Sequence, residues 1–344
     1  MRTRLTYLSV LMTVAAALVV AVVLALGGGG TSGTASAAGA VGSSPRAILE
    51  QACAADRDVT SGRADFRLTL TPTLDPAAEA PAQARMALGA PIEVSGDVAV
   101  DSDPFVGAIN VEVSLGDGSY TTQVAMRWID DEAWVKVLGL WYQAPPEAQE
   151  RLAEARARMA AGETAADDGP DADELASMGL DPWSWITGLE LVDSERIDGV
   201  AAHHIGGGLD VAAMIDDLVA FSATPQFEAM LREHAPAEAL AEFRSVDRAE
   251  LDEAAAKATE AVRDVRGEVW VAAESGRVLK AAGAATLVPP AEADVAWLES
   301  IAVAGTVRYG GFDEPVTVQP PADPRPWDDL QRLCGGHDGS PFAD

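Results

Sequence analysis

Hydrophobic and polar residues alternate along many stretches of the chain, and short polar turns separate these stretches. The clearest case is Ile109, Val111 and Val113, whose neighbours in sequence are mostly polar. A period of two residues is typical of a strand with one buried face, and successive short strands predict an antiparallel meander. Strands are predicted at Phe66–Leu70, Ile92–Val100, Phe105–Leu115, Tyr120–Ile129, Ala133–Leu140, Leu191–Ile197, Val200–Leu209, Glu268–Ala273, Val278–Leu287, Trp297–Tyr309 and Val316–Val318.

The region 211–265 has a different period. Its apolar residues recur at helical spacing, in one stripe with Met214, Leu218 and Phe221 and in a second stripe with Met230. Strands, then helices, then strands again indicate an α+β domain in which one antiparallel sheet carries helices on one face. A sheet of roughly nine to eleven strands must curl.

An acidic stretch at 146–180 interrupts the strands. Its first part, Glu147–Ala160, has helical composition but is polar nearly all round, and an Asp-rich and Gly-rich segment follows. We expect a surface excursion that buries little. A further helix is predicted from Pro182 to about Leu189, and a loop at 72–91.

The start of the chain has the pattern of an export signal. Two arginines precede a mostly apolar, uncharged run, Leu5–Leu26, and the chain beyond it is expected outside the membrane. The run approaches the ~20 residues that span a bilayer. Residues 1–26 are therefore either a signal peptide, with a cleavage site near Ala35–Ala37, or a retained anchor. Residues 27–46, rich in Gly, Ala and Ser, predict a flexible linker.

Charge and cysteine content narrow the possible functions. The formal net charge is -30, with 24 Lys and Arg in 344 residues. Nucleic-acid binding needs a cationic surface, so this class is excluded, and docking on anionic lipid headgroups is disfavoured. The two cysteines, Cys53 and Cys334, lie near the two ends of the exported part. In an oxidising compartment this placement predicts a disulfide between them.

Motifs for catalysis are missing from the sequence. It contains no nucleophile elbow, no zinc-protease motif and no phosphate-binding loop. His203 and His204 are adjacent, so on a strand they point to opposite faces and cannot easily share a ligand. The acidic run at 167–173 lacks the order of an EF-hand. We expect no enzymatic activity, no metal site and no cofactor.

Four local patterns occur in a recognisable order. They are Trp141-Tyr142-Gln143 before a proline pair, Asp198-Gly199 before a strand that leads into three glycines, Gly267-Glu268-Val269-Trp270-Val271 before Ser275-Gly276, and Val307-Arg308-Tyr309-Gly310 before Pro320-Pro321. Over residues 47–321 this order resembles the actinobacterial LppX/LprG-type lipoproteins, within the broader LolA-like fold of periplasmic lipoprotein carriers. Two features depart from that family. No cysteine for lipid attachment follows the apolar run, and the 146–180 excursion is longer than expected.

The resemblance implies a curled antiparallel half-barrel with helices covering its concave face and an apolar cavity between them. Members carry lipid chains, lipoproteins or glycolipids across the cell envelope. Apolar stripes are also what an ordinary core requires, so a solid core stays open as the alternative. The expected cavity residues are Ile109, Val111, Val113, Val124, Met126 and Trp128 on strands and Met214, Leu218, Phe221 and Met230 on helices.

The resulting expectation is a non-enzymatic carrier of lipids or acylated molecules, secreted or held at the outer face of the cytoplasmic membrane. The carrier domain covers 47–321, and a C-terminal tail with Cys334 covers 322–344. Two other functions stay open. One is an envelope sensor that binds a membrane signalling protein, and the other is a structural surface domain.

Overall fold

The structure is a computed structural model that describes residues 44–55, 59–160 except 117 and 119, 175–234 except 177, and 247–334 except 291, 292 and 294. Contacts divide the chain into two units. The helical unit comprises the described residues within 1–57, 69–91 and 169–306, and the meander unit comprises those within 58–68, 92–168 and 307–344. The predicted signal or anchor at 1–26 lies outside the described residues.

The strands of the described residues belong to one open sheet. They are β1 (Ser61–Leu74), β2 (Ile92–Ser102), β3 (Phe105–Leu115), β4 (Tyr120–Ile129), β5 (Glu132–Val137), β6 (Leu140–Gln143), β7 (Ile186–Ile197), β8 (Val200–Leu209), β9 (Val262–Ala272), β10 (Val278–Leu287) and β11 (Leu298–Gly310). Their order is β6-β5-β4-β3-β2-β1-β11-β10-β9-β8-β7, with β6 and β7 at the two edges. The predicted class, α+β with an antiparallel sheet of the half-barrel type, is confirmed.

Helices occur in both units. They are α1 (Pro45–Ala55), α2 (Ala82–Leu88), α3 (Pro146–Ala160), α4 (Val211–Ser222), α5 (Pro225–His234), α6 (Arg248–Ala261) and α7 (Trp327–Cys334). Local sequence fixes two of their starts. The Asp210 carboxylate accepts the Ala213 N–H at 3.0 Å and begins α4, and a capping box of Asp247 and Glu250 begins α6.

The helical unit has its core between the sheet and two of its helices. Ile205, Val269 and Ala281 are register neighbours on β8, β9 and β10, and all three are buried. Helix α1 contacts β7 and β9 and contributes the buried Leu49, while α4 contacts β9. Burial of aliphatic side chains at about 25 cal/mol per Å² is the main stabilising term in such a layer.

Two predictions for the meander unit are wrong. The strand predicted at Ala133–Leu140 is two strands, because Leu138 and Gly139 both have positive φ and reverse the chain. The predicted strand Val316–Val318 is absent from the described part of the chain. Instead, the Val316 N–H donates to the buried Asp101 carboxylate at 3.2 Å.

Two predictions for the helical unit are also wrong. The helix predicted from Pro182 to Leu189 is only a 3-10 turn at Pro182–Trp185, because β7 begins at Ile186. The loop predicted at 72–91 contains α2. Among the described residues, no helix is both long enough and apolar enough to cross a bilayer.

Candidate functional site

The apolar face of the meander unit consists of three rows of side chains that run across its strands. Each row is a set of residues paired in register from β2 to β5 or β6. The outer row is Gly96, Val111, Val124, Val137 and Leu140, the middle row is Val98, Ile109, Met126, Val135 and Tyr142, and the inner row is Val100, Gly107, Trp128 and Ala133.

Helix α3 closes the inner end of this face. Phe105, Trp128 and Ala133 form a buried cluster, and Ala148 and Leu152 of α3 pack against it. The helix was expected to be polar nearly all round and to bury little. Its described side chains are exposed or half-buried, and one face of α3 carries small and aliphatic side chains at helical spacing that dock on the cluster.

An ion pair links α3 to the β4–β5 turn. The Arg156 guanidinium donates to Asp131 at 2.9 Å and lies 3.4 Å from Asp130, and both acids are in the β4–β5 turn. The hydrogen bond to Asp131 and its negative charge raise the pKa of Arg156 above the ordinary value for arginine. Exposed pairs of this kind contribute little free energy, so the apolar contacts carry most of the docking.

The outer end of the face stays partly in water. Val124 is 43% exposed and Leu140 is 38% exposed, and Val111 and Val137 are only half-buried. The burial of the face therefore changes along the strands, from closed at the inner row to open at the outer row. An open row of aliphatic side chains offers a surface to an apolar ligand.

The opposite face of the same strands carries polar groups that fix the phase, beside the buried Val106, Ala125 and Trp134. The Asn110 amide donates to Asp97 at 2.8 Å, and the Gln123 amide donates to Glu112 at 2.8 Å. Arg127 donates to the Gln319 carbonyl oxygen at 3.1 Å. A slip by one residue would move these groups onto the apolar face at a high desolvation cost.

The strand half of the predicted cavity set falls on this apolar face. Ile109 pairs with Met126, Val111 pairs with Val124, and Trp128 pairs with Gly107. The alternation predicted for the two strands is therefore confirmed. Sequence reasoning missed Val135 and Val137 as members of the rows, because the turn that ends β5 was not recognised. Val113 lies beyond the outer row, opposite Val94 and Thr122.

The helix half of the predicted set lies in the other unit. Met214, Leu218 and Phe221 are on α4. Phe221 is buried and forms an edge-to-face contact with Phe227 at 5.4 Å between ring centroids, Leu218 is exposed, and Met214 is half-buried. Met230 is on α5, and its side chain lies outside the described residues. A cavity shared by both halves of the set stays a prediction.

A groove between α4 and α6 has a volume of about 410 Å³. Its lining includes the charged Asp216, Arg248 and Asp252, beside Val219, Ala255, Ala256 and Thr259. The Arg248 guanidinium lies 2.9 Å from Asp252 and donates to the Val219 carbonyl oxygen at 3.3 Å. The Arg248 guanidinium is already paired within the protein. An acyl chain in this groove would lie against charged groups, so the groove suits such a chain less well than the apolar face does.

A buried histidine in the helical unit forms a further cluster of polar and aromatic side chains. The His204 ring stacks on Trp270 with centroids 4.2 Å apart, and its Nδ1 is 3.0 Å from the Glu195 carboxylate. The Trp270 indole N–H donates to the same carboxylate at 3.3 Å, and the Lys280 ammonium lies over the Trp270 ring at 3.7 Å. No group of three potential metal ligands converges anywhere in the described ranges. We regard this cluster as structural.

The predicted disulfide is not tested by the described residues. Cys53 is buried in α1. Cys334 is the last residue of α7, and its side chain lies outside the description. The bond between them stays a prediction.

No protein-family model and no curated protein matches the chain. Among solved structures, the Mycobacterium tuberculosis lipoprotein LppX is 17% identical, with 80% of this chain and 98% of that chain covered and a TM-score of 0.34. LprF from Mycobacterium bovis is 12% identical, with 81% and 97% covered and a TM-score of 0.37. The MucA/MucB complex of Pseudomonas aeruginosa is 15% identical, with 81% and 59% covered and a TM-score of 0.22. No family membership follows from these values.

Proposed function

We propose that this chain is an exported, non-enzymatic carrier that holds the hydrocarbon part of a lipid or an acylated molecule on the apolar face of the meander unit. The observation that carries the proposal is the outer row. Val111, Val124 and Val137 are neighbours in register, and all three keep part of their surface in water. Exposed aliphatic surface of this extent costs free energy unless something covers it.

The chemistry of the three rows selects the ligand class. Their side chains are aliphatic, aromatic or thioether, and none of them is charged. A hydrocarbon chain needs no polar partner, whereas a charged or strongly polar ligand would lose its hydration on this surface without compensation. Met126, in the middle row, has a flexible and polarizable side chain that adapts to ligands of different shape.

The expected location fits such a ligand. Export through an N-terminal apolar segment would put the domain close to the lipids of the cytoplasmic membrane, whether the segment is cleaved or retained. The exported domain would then accept acyl chains from the bilayer surface. The second candidate, an envelope sensor, has no specific observation in its favour among the described residues.

Two measurements test the carrier proposal. Organic extracts of the purified chain, analysed by mass spectrometry, should contain co-purified lipid. The chain should also take up a fluorescent fatty acid, and Val124→Glu should abolish most of that uptake, because it places a carboxylate in the outer row. Val124 is already 43% exposed, so this variant should fold normally.

The matched control is Leu191→Glu. Leu191 is 45% exposed on the edge strand β7 of the helical unit, so the change adds the same charge at similar exposure. Uptake by this variant should equal that of the unmodified chain. An extract without lipid, together with no uptake by the unmodified chain, would contradict the carrier proposal and favour the sensor or the structural surface domain.

A further inference from the structure

The turn between β5 and β6 carries an exposed leucine in an unfavourable backbone conformation. Leu138 and Gly139 form a two-residue hairpin connection with φ values of 51° and 81°. Positive φ at both positions defines a type I′ turn, which prefers Asn, Asp or Gly. Leu138 is 76% exposed, so it gains almost no packing energy in return.

The other hairpin of this kind provides a comparison within the same chain. Between β7 and β8, Asp198 and Gly199 have φ values of 49° and 88° and also form a two-residue connection. The non-glycine residues with positive φ in the described ranges are aspartates, with Leu138 as the exception: Asp130, Asp198, Asp264, Asp313, Asp323 and Leu138. Leu138 therefore differs from the aspartates at the other non-glycine positions with positive φ among the described residues.

The departure lowers the stability of the isolated domain in two ways. A left-handed conformation costs a non-glycine residue roughly 1 kcal/mol, and a bulky side chain cannot recover this through the local hydrogen bonds that Asp or Asn makes. An exposed leucine also keeps its apolar surface in water. A residue that is unfavourable both in the turn and in water points to an interaction outside the chain.

Other exposed apolar side chains surround the turn. Leu140 follows it directly, Val124 is paired with Val137 at the end of β5, and Tyr120 lies on the neighbouring hairpin at the same end of the sheet, 64% exposed. Residues 137–141 contain no charged side chain in a chain of net charge -30. This tip is defined as Tyr120, Val124, Leu138 and Leu140, and its turn at Leu138 can leave water without burying a charge.

We infer that the tip inserts into the surface of a lipid bilayer with little net charge. A two-residue turn cannot supply the roughly 800 Å² per partner of a stable protein interface, whereas a few apolar side chains can enter a bilayer without a complementary surface. The amphipathic ring of Tyr120 suits the headgroup layer. The high negative charge of the chain favours uncharged or zwitterionic lipids over anionic ones.

The sequence outside the described residues supports a bilayer as the occupant. The predicted linker 27–46 follows the apolar run in the sequence, and α1 begins at its last two residues. If the apolar segment is retained, the linker keeps the domain within reach of the membrane and raises the effective concentration of the tip there. The tip shares Val124 and Leu140 with the outer row, but insertion requires no bound ligand, so the inference does not depend on the proposed carrier function.

The test places a photoreactive benzophenone side chain at position 138 of the full chain and, in a second preparation, at position 198. Both positions are the first residue of a type I′ turn, so they match in backbone and exposure to solvent. Each preparation is mixed with, or reconstituted in, phosphatidylcholine vesicles and irradiated, and lipid adducts are counted by mass spectrometry. Position 138 should give at least tenfold more adduct than position 198.

A second measurement uses the probe at position 120 in three backgrounds. Leu138→Asp should lower the lipid adduct at position 120 roughly tenfold, while Asp198→Asn, the matched control, should leave it unchanged. Leu138→Asp should melt at the same temperature as the unmodified chain or higher, because Asp suits the turn. Equal adducts at positions 138 and 198, no lipid adduct, or adducts mainly with a second copy of the chain would each overturn the inference.

Discussion

The indole ring of Trp128 lies directly over Gly107, its partner in register on β3. A β-carbon at position 107 would overlap three atoms of that ring. The pair belongs to the inner row, where Trp128 is buried in the cluster with Phe105 and Ala133. The absence of a side chain on one strand therefore makes room for the largest side chain on the next.

We expect Gly107→Ala to lower the free energy of unfolding by about 1–3 kcal/mol, because it overpacks a buried cluster. The change in Gly107→Ala plus Trp128→Leu should be smaller than the sum of the two single changes, since the smaller side chain removes the overlap. Urea unfolding followed by circular dichroism measures both values. Gly310→Ala is the control, because a β-carbon there meets no atom within 4 Å. Additive effects of the two substitutions would contradict the overlap.

The spacing of hydrophobic residues and the residue types in the turns made part of this structure predictable from the sequence. The phase of Ile109, Val111 and Val113 follows from simple alternation, and their strand has the predicted bounds Phe105–Leu115. The turn at Leu138 was missed because its signal is normally Asn or Asp. The α+β class was predictable because it depends on such local periods, whereas the predicted set of strands contained one strand too few at 133–143 and one too many at 316–318.

Contacts between distant residues were not predictable in the same way. The docking face of α3 consists mainly of Ala148 and Leu152 in an otherwise charged helix, so its hydrophobic period is weak. His204 meets Trp270 and Glu195 only after β7, β8 and β9 pair. The position of α3 on the sheet determines which apolar row stays exposed to water. No local sequence pattern predicts that position.

Helix α3 should contribute to the stability of the meander unit. Leu152→Ala removes part of the side chain that packs against the buried cluster, and we expect a loss of about 1–3 kcal/mol. Glu154→Ala, on the exposed side of the same helix, should change the free energy of unfolding by less than about 0.5 kcal/mol. Thermal unfolding of the two variants tests this difference. Equal stability of both variants would instead support the expectation of a dispensable surface excursion.

The buried Asp101 should anchor the segment that follows β11. Its two carboxylate oxygens accept the N–H groups of Asp103 at 3.1 Å and Val316 at 3.2 Å. Asp101→Ala leaves both donors unpaired and should cost about 1–3 kcal/mol. Hydrogen exchange should become faster at the Val316 amide.

The control for Asp101 is Asp97→Ala on the same strand, whose carboxylate bonds only the exposed Asn110 side chain among the contacts described for it. This variant should exchange the Val316 amide at the rate of the unmodified chain. If Asp101→Ala also leaves that rate unchanged, the Asp101 hydrogen bond does not hold the segment.

The predicted bond between Cys53 and Cys334 has a clear signature. Closing a loop of this length removes conformational entropy from the unfolded chain, and the entropic model gives up to about 5 kcal/mol of stabilisation. We expect Cys334→Ala to lower the melting temperature without abolishing folding, because the domain keeps its own core. Reductant should lower the melting temperature of the unmodified chain to the same value and should have no effect on Cys334→Ala. Peptide mapping without reductant should recover the two cysteines in one linked peptide pair, and recovery of both as thiols would refute the bond.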